Sequence, residues 1–119
     1  MKAKTNLTML CDFYELTMGN GYFQTGLADR ICYFDVFYRS VPDKGGFAIA
    51  AGLAQVVEYI ENLCFDEEDI AYLQSKGCFA PEFLDYLRTF RFTGDIWAVP
   101  EGTPIFPGEP ILTVRAPAI

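Results

Sequence analysis

The stretch from Asp12 to Phe23, DFYELTMGNGYF, sets a carboxylate, two aromatics and a second carboxylate within four residues. Asp12 with Glu15 three positions later has the form of a capping box, an acid at the N-cap and a glutamate at N3. Tyr14, between them, admits two uses. Filling a core is the default; presenting a flat aromatic face to a flat ligand is the other. Arg39 closes the apolar run RICYFDVFYR. It is either a surface cation snorkelling over its own stem or a group placed at a strand end to meet an anion. Asp35 lies inside the same run, where a carboxylate must be paired or hydrogen-bonded, and Arg39 is a cation it could orient. Lys44-Gly45-Gly46 could cradle a phosphate with backbone N–H groups. It lacks the spacing of a P-loop or a dinucleotide fingerprint, so a plain turn is preferred.

Other chemistries are excluded by what is missing. The 119 residues contain no histidine, so a Cys–His or Ser–His nucleophile cannot be assembled from this chain alone. The four cysteines, Cys11, Cys32, Cys64 and Cys78, show no C-x-x-C spacing. A zinc site needs clustered thiolates or imidazoles. Metal binding is therefore not expected, and the cysteines read as reduced, small core hydrophobes. A net charge of −7 argues against nucleic acid as a partner, because phosphate backbones select basic patches. A small anionic substrate remains compatible if a few cations converge. No apolar run approaches the roughly 20 residues of a membrane span, and MKAKTN leads into no signal-peptide core. A cytoplasmic chain is expected, with no membrane partner.

The elements that must position these residues follow from periodicity. Length fits one domain, residues 1–119, and 51% hydrophobic residues can fill a core. A helix opening at Asp12 carries Tyr14, Met18 and Tyr22 on one i+4 stripe, weakened by Gly19 and Gly21, with Gly26 past its end. RICYFDVFYR, with little alternation, predicts a strand buried on both faces. SVPDKGGF is a turn by Pro42, Asp43 and Gly45-Gly46. A second helix from near Gly52 places Leu53, Val56, Val57, Ile60 and Leu63 on a face aimed at a core. Asp66 to Asp69 crowd the solvated start of a third helix, where carboxylates suit the positive dipole end, and Lys76-Gly77 close it. Pro81 opens a fourth through Phe83, Leu84, Leu87 and Phe90. From Thr93 onward, short β runs containing Val99, Ile105, Ile111, Leu112 and Val114 alternate with turns at Pro100–Gly102 and Pro107–Pro110, the grammar of a small sandwich or barrel-like edge. Helices and strands come in blocks, so the fold class is α+β rather than doubly wound. There is no internal repeat or low-complexity linker, and RAPAI reads as a boundary rather than a finished terminus.

The last block, AVPEGTPIFPGEPILTV, has the rhythm of hammerhead and barrel-sandwich modules that carry lipoyl or biotinyl groups. No lysine follows Lys76, so the carrier role fails and only the architecture survives. Taken together, DFYELTMGNGYF, FDVFYRSVPDKGGFAIAAGL and GDIWAVPEGTPIFPGEPILTVRAP resemble the amino-terminal domain of nicotinate phosphoribosyltransferase, in the family's order and across most of the chain. The resemblance implies an α/β-hammerhead domain, helices on a small mixed or antiparallel sheet, ahead of an α/β barrel absent here. It implies NAD salvage: nicotinate and phosphoribosyl diphosphate give nicotinate mononucleotide and diphosphate, coupled to ATP hydrolysis, with ATP and Mg2+ as cofactors of the full-length enzyme. It also implies a head-to-tail homodimer in which the amino-terminal segment of one subunit completes the site of the other. Tyr14 matches the tyrosine that stacks on the pyridine ring, with Asp12 fixing its approach, and Arg39 the arginine that reaches the donor's phosphates. The family's phosphorylated histidine and most phosphate ligands belong to the barrel, so this stretch alone is expected to be inactive, with an apolar barrel-facing surface. The alternatives are a non-catalytic dimerisation or binding module of the same fold, and a nicotinamide- or quinolinate-using relative.

Overall fold

Three of the four helices among the described residues close around one another because their apolar residues recur at helical spacing. In the computed structural model, which describes residues 6–41 and 43–119, these are α1 (Phe13–Gln24), α3 (Glu67–Ser75) and α4 (Pro81–Thr89). Leu16, Ile70, Leu73, Phe83, Leu84 and Leu87 form the buried cluster. Aromatic rings extend it: Phe23 lies 5.8 Å from Phe83 and 5.4 Å from Tyr86, centroid to centroid. The starts and stops follow the sequence signals. Asp66 caps α3, accepting from the Glu68 and Asp69 N–H groups while Asp69 accepts from the Asp66 N–H, a complete capping box. Pro81 opens α4, and Gly77 takes a left-handed φ of 68° just past the end of α3.

The strands make two antiparallel sheets, completing an α+β architecture. β1 (Ile31–Val36), β5 (Leu112–Pro117) and β3 (Asp95–Ala98) form one, in the order β1-β5-β3. β2 (Ala48–Ile49) and β4 (Pro104–Ile105) form the other. Register places Tyr33 opposite Arg115 and Arg115 opposite Asp95. That row is cross-linked, since the Arg115 guanidinium donates to the Tyr33 hydroxyl at 3.2 Å and pairs with Asp95 at 3.0 Å. Gly94, just before β3, sits where a Cβ would lie 2.5 Å from the Arg115 carbonyl oxygen, so only glycine fits that approach.

Several expectations about burial are corrected here. β1 is an edge strand, and Tyr33, Phe34 and Val36 are exposed rather than enclosed on two faces. It pairs with β5 on one side only, and among the described residues no helix packs extensively across it. α2 (Leu53–Glu61) contains no fully buried residue: Val56 and Val57 are open to solvent, Leu53 and Ile60 are half-buried, and none of them joins the buried cluster. The cysteines are not core residues either. All four are free thiols, Cys11 and Cys78 exposed and Cys32 and Cys64 half-buried. Within the predicted turn before β2, the Asp43 carboxylate accepts from the Gly45 N–H at 3.0 Å; Pro42 lies outside the described residues. No helix among the described residues is long and apolar enough to cross a membrane.

Candidate functional site at the start of the first helix

The rotation of α1 is set by its inward side chains. Leu16, Gly19 and Asn20 are buried, and the Phe13 ring meets Phe79 edge-on at 5.7 Å. With about 100° between successive residues of an α-helix, turning Leu16, Gly19 and Asn20 inward leaves Tyr14 on another face, and Phe13, despite its edge contact, is itself 46% exposed. The Tyr14 side chain is 59% exposed, and Met18, one turn on, is 47% exposed. The Tyr14–Met18–Tyr22 stripe is thus not the core face, and core filling is overturned as the use of Tyr14. Asn20 fastens the helix lengthwise: its Oδ1 accepts from the Ala80 N–H at 3.0 Å, the residue before α4. Sequence reasoning missed Asn20; the signal was a polar residue on the line Leu16, Asn20, Phe23.

Asp12 does occupy the N-cap, with extended backbone (φ −70°, ψ 142°), but its carboxylate makes no capping hydrogen bond. The Glu15 N–H donates instead to the Asp12 backbone carbonyl at 3.1 Å, which uses the donor that a capping side chain would take. The predicted capping box is therefore absent, and the Asp12 side chain stays exposed. The segment before it is tied down. Thr8 is 3% exposed and its hydroxyl accepts from the Cys64 N–H at 3.0 Å.

Beside Asp12 lies an open depression of about 470 Å3, lined by Leu10, Cys11, Asp12, Glu15 and Tyr59. Tyr59 comes from α2. Burial raises its hydroxyl pKa first, then the neighbouring Cys11 and Glu15. Desolvation likewise pushes the Cys11 thiol up, reinforced by Glu15 and Asp12. Both groups therefore stay protonated at neutral pH. Cys11 is a poor nucleophile there, since the thiolate is the reactive form, and Tyr59 is a neutral hydrogen-bond donor.

Arg39 follows β1 and is exposed. Its neighbour Tyr38 anchors this stretch: the hydroxyl donates to the Ile105 carbonyl at 2.7 Å, and the Tyr38 carbonyl accepts from the Gly108 N–H at 2.9 Å. Arg39 carries no ion pair among the described residues, and Asp35 does not orient it. Asp35 is exposed and instead accepts from the Thr113 hydroxyl at 2.6 Å. A guanidinium without a carboxylate partner is suited to a phosphate, which its planar fork binds bidentately. Arg39 follows a strand of the three-stranded sheet, while Asp12 and Tyr14 stand at the start of α1. Among the described residues no group of three or more carboxylate, thiolate or imidazole side chains is placed to hold a metal ion.

Comparison with known proteins places this arrangement. The family model described as the nicotinate phosphoribosyltransferase (NAPRTase) N-terminal domain matches residues 9–119. A nicotinate phosphoribosyltransferase of Mycobacterium tuberculosis is 45% identical over 111 residues, covering 93% of this chain and 24% of that protein. The Bacillus subtilis nicotinate phosphoribosyltransferase is 35% identical over 114 residues, covering 96% and 23%. The crystal structure of human nicotinic acid phosphoribosyltransferase superposes with a TM-score of 0.80 at 34% identity, covering 90% of this chain and 22% of that one. The chain thus spans about a quarter of the length of the curated relatives it matches.

Proposed function

The chain belongs to the nicotinate phosphoribosyltransferase family, matching its amino-terminal domain, and from that premise we propose that it lends substrate-stacking and interface residues to a shared active site. The reaction joins nicotinate to phosphoribosyl diphosphate, giving nicotinate mononucleotide and diphosphate in NAD salvage. The working enzyme is a cytoplasmic homodimer that uses ATP and Mg2+, which would couple ATP hydrolysis to the transfer.

The observation that carries the proposal is the place of Tyr14 on α1: it lies about 200° around the helix from the buried Leu16 and is 59% exposed. An exposed tyrosine on a helix held by a rigid core gives a flat surface of fixed direction. An offset stack on a pyridine ring contributes about 0.5–1.5 kcal/mol beyond the area it covers. Asp12, freed from capping, stands at the same helix end and sets the approach to Tyr14. Arg39, held by the Tyr38 anchor, binds the phosphates of the ribosyl donor. By itself the chain is inactive, because it contains no histidine and few of the groups that transfer needs.

In the active enzyme, Tyr14→Ala should raise the nicotinate KM about tenfold, equivalent to roughly 1.4 kcal/mol, while Tyr14→Phe stays close to the parent. Thermal melting should be the same in all three, since the ring is not part of the core. An unchanged nicotinate KM in Tyr14→Ala removes this residue from the site.

A further inference from the structure

The depression beside Asp12 joins two helices that the core leaves apart. Because α2 has no fully buried residue, its direction depends strongly on how its ends are held. Its N-cap is Gly52, with a left-handed φ of 104° and no side chain to satisfy the first-turn N–H groups. Glu101 supplies the acceptor from the far side of the sequence. Its Oε1 accepts from the Gly52 N–H at 2.9 Å and from the Ala54 N–H at 3.3 Å. A carboxylate there also suits the positive end of the helix dipole. The turn carrying Glu101 is bonded to the chain just before α2: the Gly102 N–H donates to the Ala50 carbonyl at 2.8 Å, and the Ala50 N–H to the Thr103 carbonyl at 2.9 Å. Tyr59 lies seven residues along, roughly 10 Å at 1.5 Å per residue. A tilt at the capped end is therefore amplified where Tyr59 lines the depression with Asp12 and Glu15.

We infer that Glu101 is a positioning residue for nicotinate binding, holding α2 so that Tyr59 stands beside the Asp12 end of α1. The inference rests on the role proposed above for Asp12 and Tyr14. In the active enzyme, Glu101→Ala raises the nicotinate KM several-fold, with kcat and the phosphoribosyl diphosphate KM within about twofold of the parent. Glu101→Gln, whose amide oxygen still accepts both N–H groups, restores most of the loss. Tyr59→Leu raises the nicotinate KM similarly, and the double variant Glu101→Ala/Tyr59→Leu is no worse than the poorer single variant. An unchanged KM in Glu101→Ala, no recovery in Glu101→Gln, or multiplied effects in the double variant overturns the inference. If Glu101→Ala does not fold, Tyr59→Leu carries the test alone, and an unchanged nicotinate KM there overturns it. Failure of the underlying site assignment shows separately, as an unchanged KM in Tyr14→Ala.

Discussion

Phe13 and Tyr14 are neighbours of similar size, and packing rather than residue type separates their roles. The resemblance singled out Tyr14, but periodicity alone favoured a core position for it, because its stripe with Met18 and Tyr22 is as regular as the true inward line. Only the helix facing α1 decides which line turns inward. Arg39 was legible as the cation after the first strand; Tyr38, which anchors it, was not, because a tyrosine in an aromatic run carries no sign of a distant carbonyl partner. Arg39→Lys should raise the phosphoribosyl diphosphate KM and leave the nicotinate KM unchanged, because an ammonium cannot reproduce a bidentate fork; steady-state kinetics with each substrate varied would show it. Asp66 gives a pH prediction. Its carboxyl is held below the usual carboxylate range first by the Asp69 N–H, then by the Asn6 amide and the Glu68 N–H. A depressed folded-state pKa stabilises above the unfolded value, here 3.8, and that stabilisation is lost as pH falls through the folded value. Denaturant titrations should therefore show a constant stability gap between the parent and Asp66→Ala from pH 5 to 7, narrowing below about pH 4.

Among the elements, helix boundaries were the most readable. Asp66, Gly77 and Pro81 act through their own local backbone, so the sequence carries the whole cause. What a face packs against is not local. The stripe of α2 has the regular spacing of a core helix, yet Val56 and Val57 are exposed, and its cap comes from Glu101 across 47 residues. The first strand reads as buried on composition, but its position at the sheet edge leaves it open. Two substitutions separate the packed helices from the unpacked one in the isolated chain. Leu73, at 0% exposure, should lose about 2–5 kcal/mol on truncation to Ala. Val57→Ser should stay within about 0.5 kcal/mol, as measured by urea unfolding. A comparable loss for Val57→Ser would mean that α2 packs on the core after all.

At the scale of the whole molecule, the chain exposes 8457 Å2, against roughly 6,500 Å2 for a compact monomer of its mass. The exposed residues include the large apolar side chains of Tyr33, Phe34, Phe37, Trp97 and Phe106. Large exposed apolar patches mark interaction surfaces. On the proposed function, the helical cluster is a rigid mount that carries the exposed Tyr14 toward another subunit. Subunit mixing tests this most directly. Active-enzyme subunits bearing Tyr14→Ala are combined, after dissociation, with subunits inactivated outside this domain. Assayed at nicotinate well below KM, where Tyr14→Ala dimers keep about a tenth of parental activity, an equal mixture starts near a twentieth; if each site borrows Tyr14 from the partner, half of the random dimers regain one of their two sites and activity rises to about a quarter of parental. If Tyr14 served its own subunit, no mixed dimer would gain a complete site and activity would stay near that twentieth.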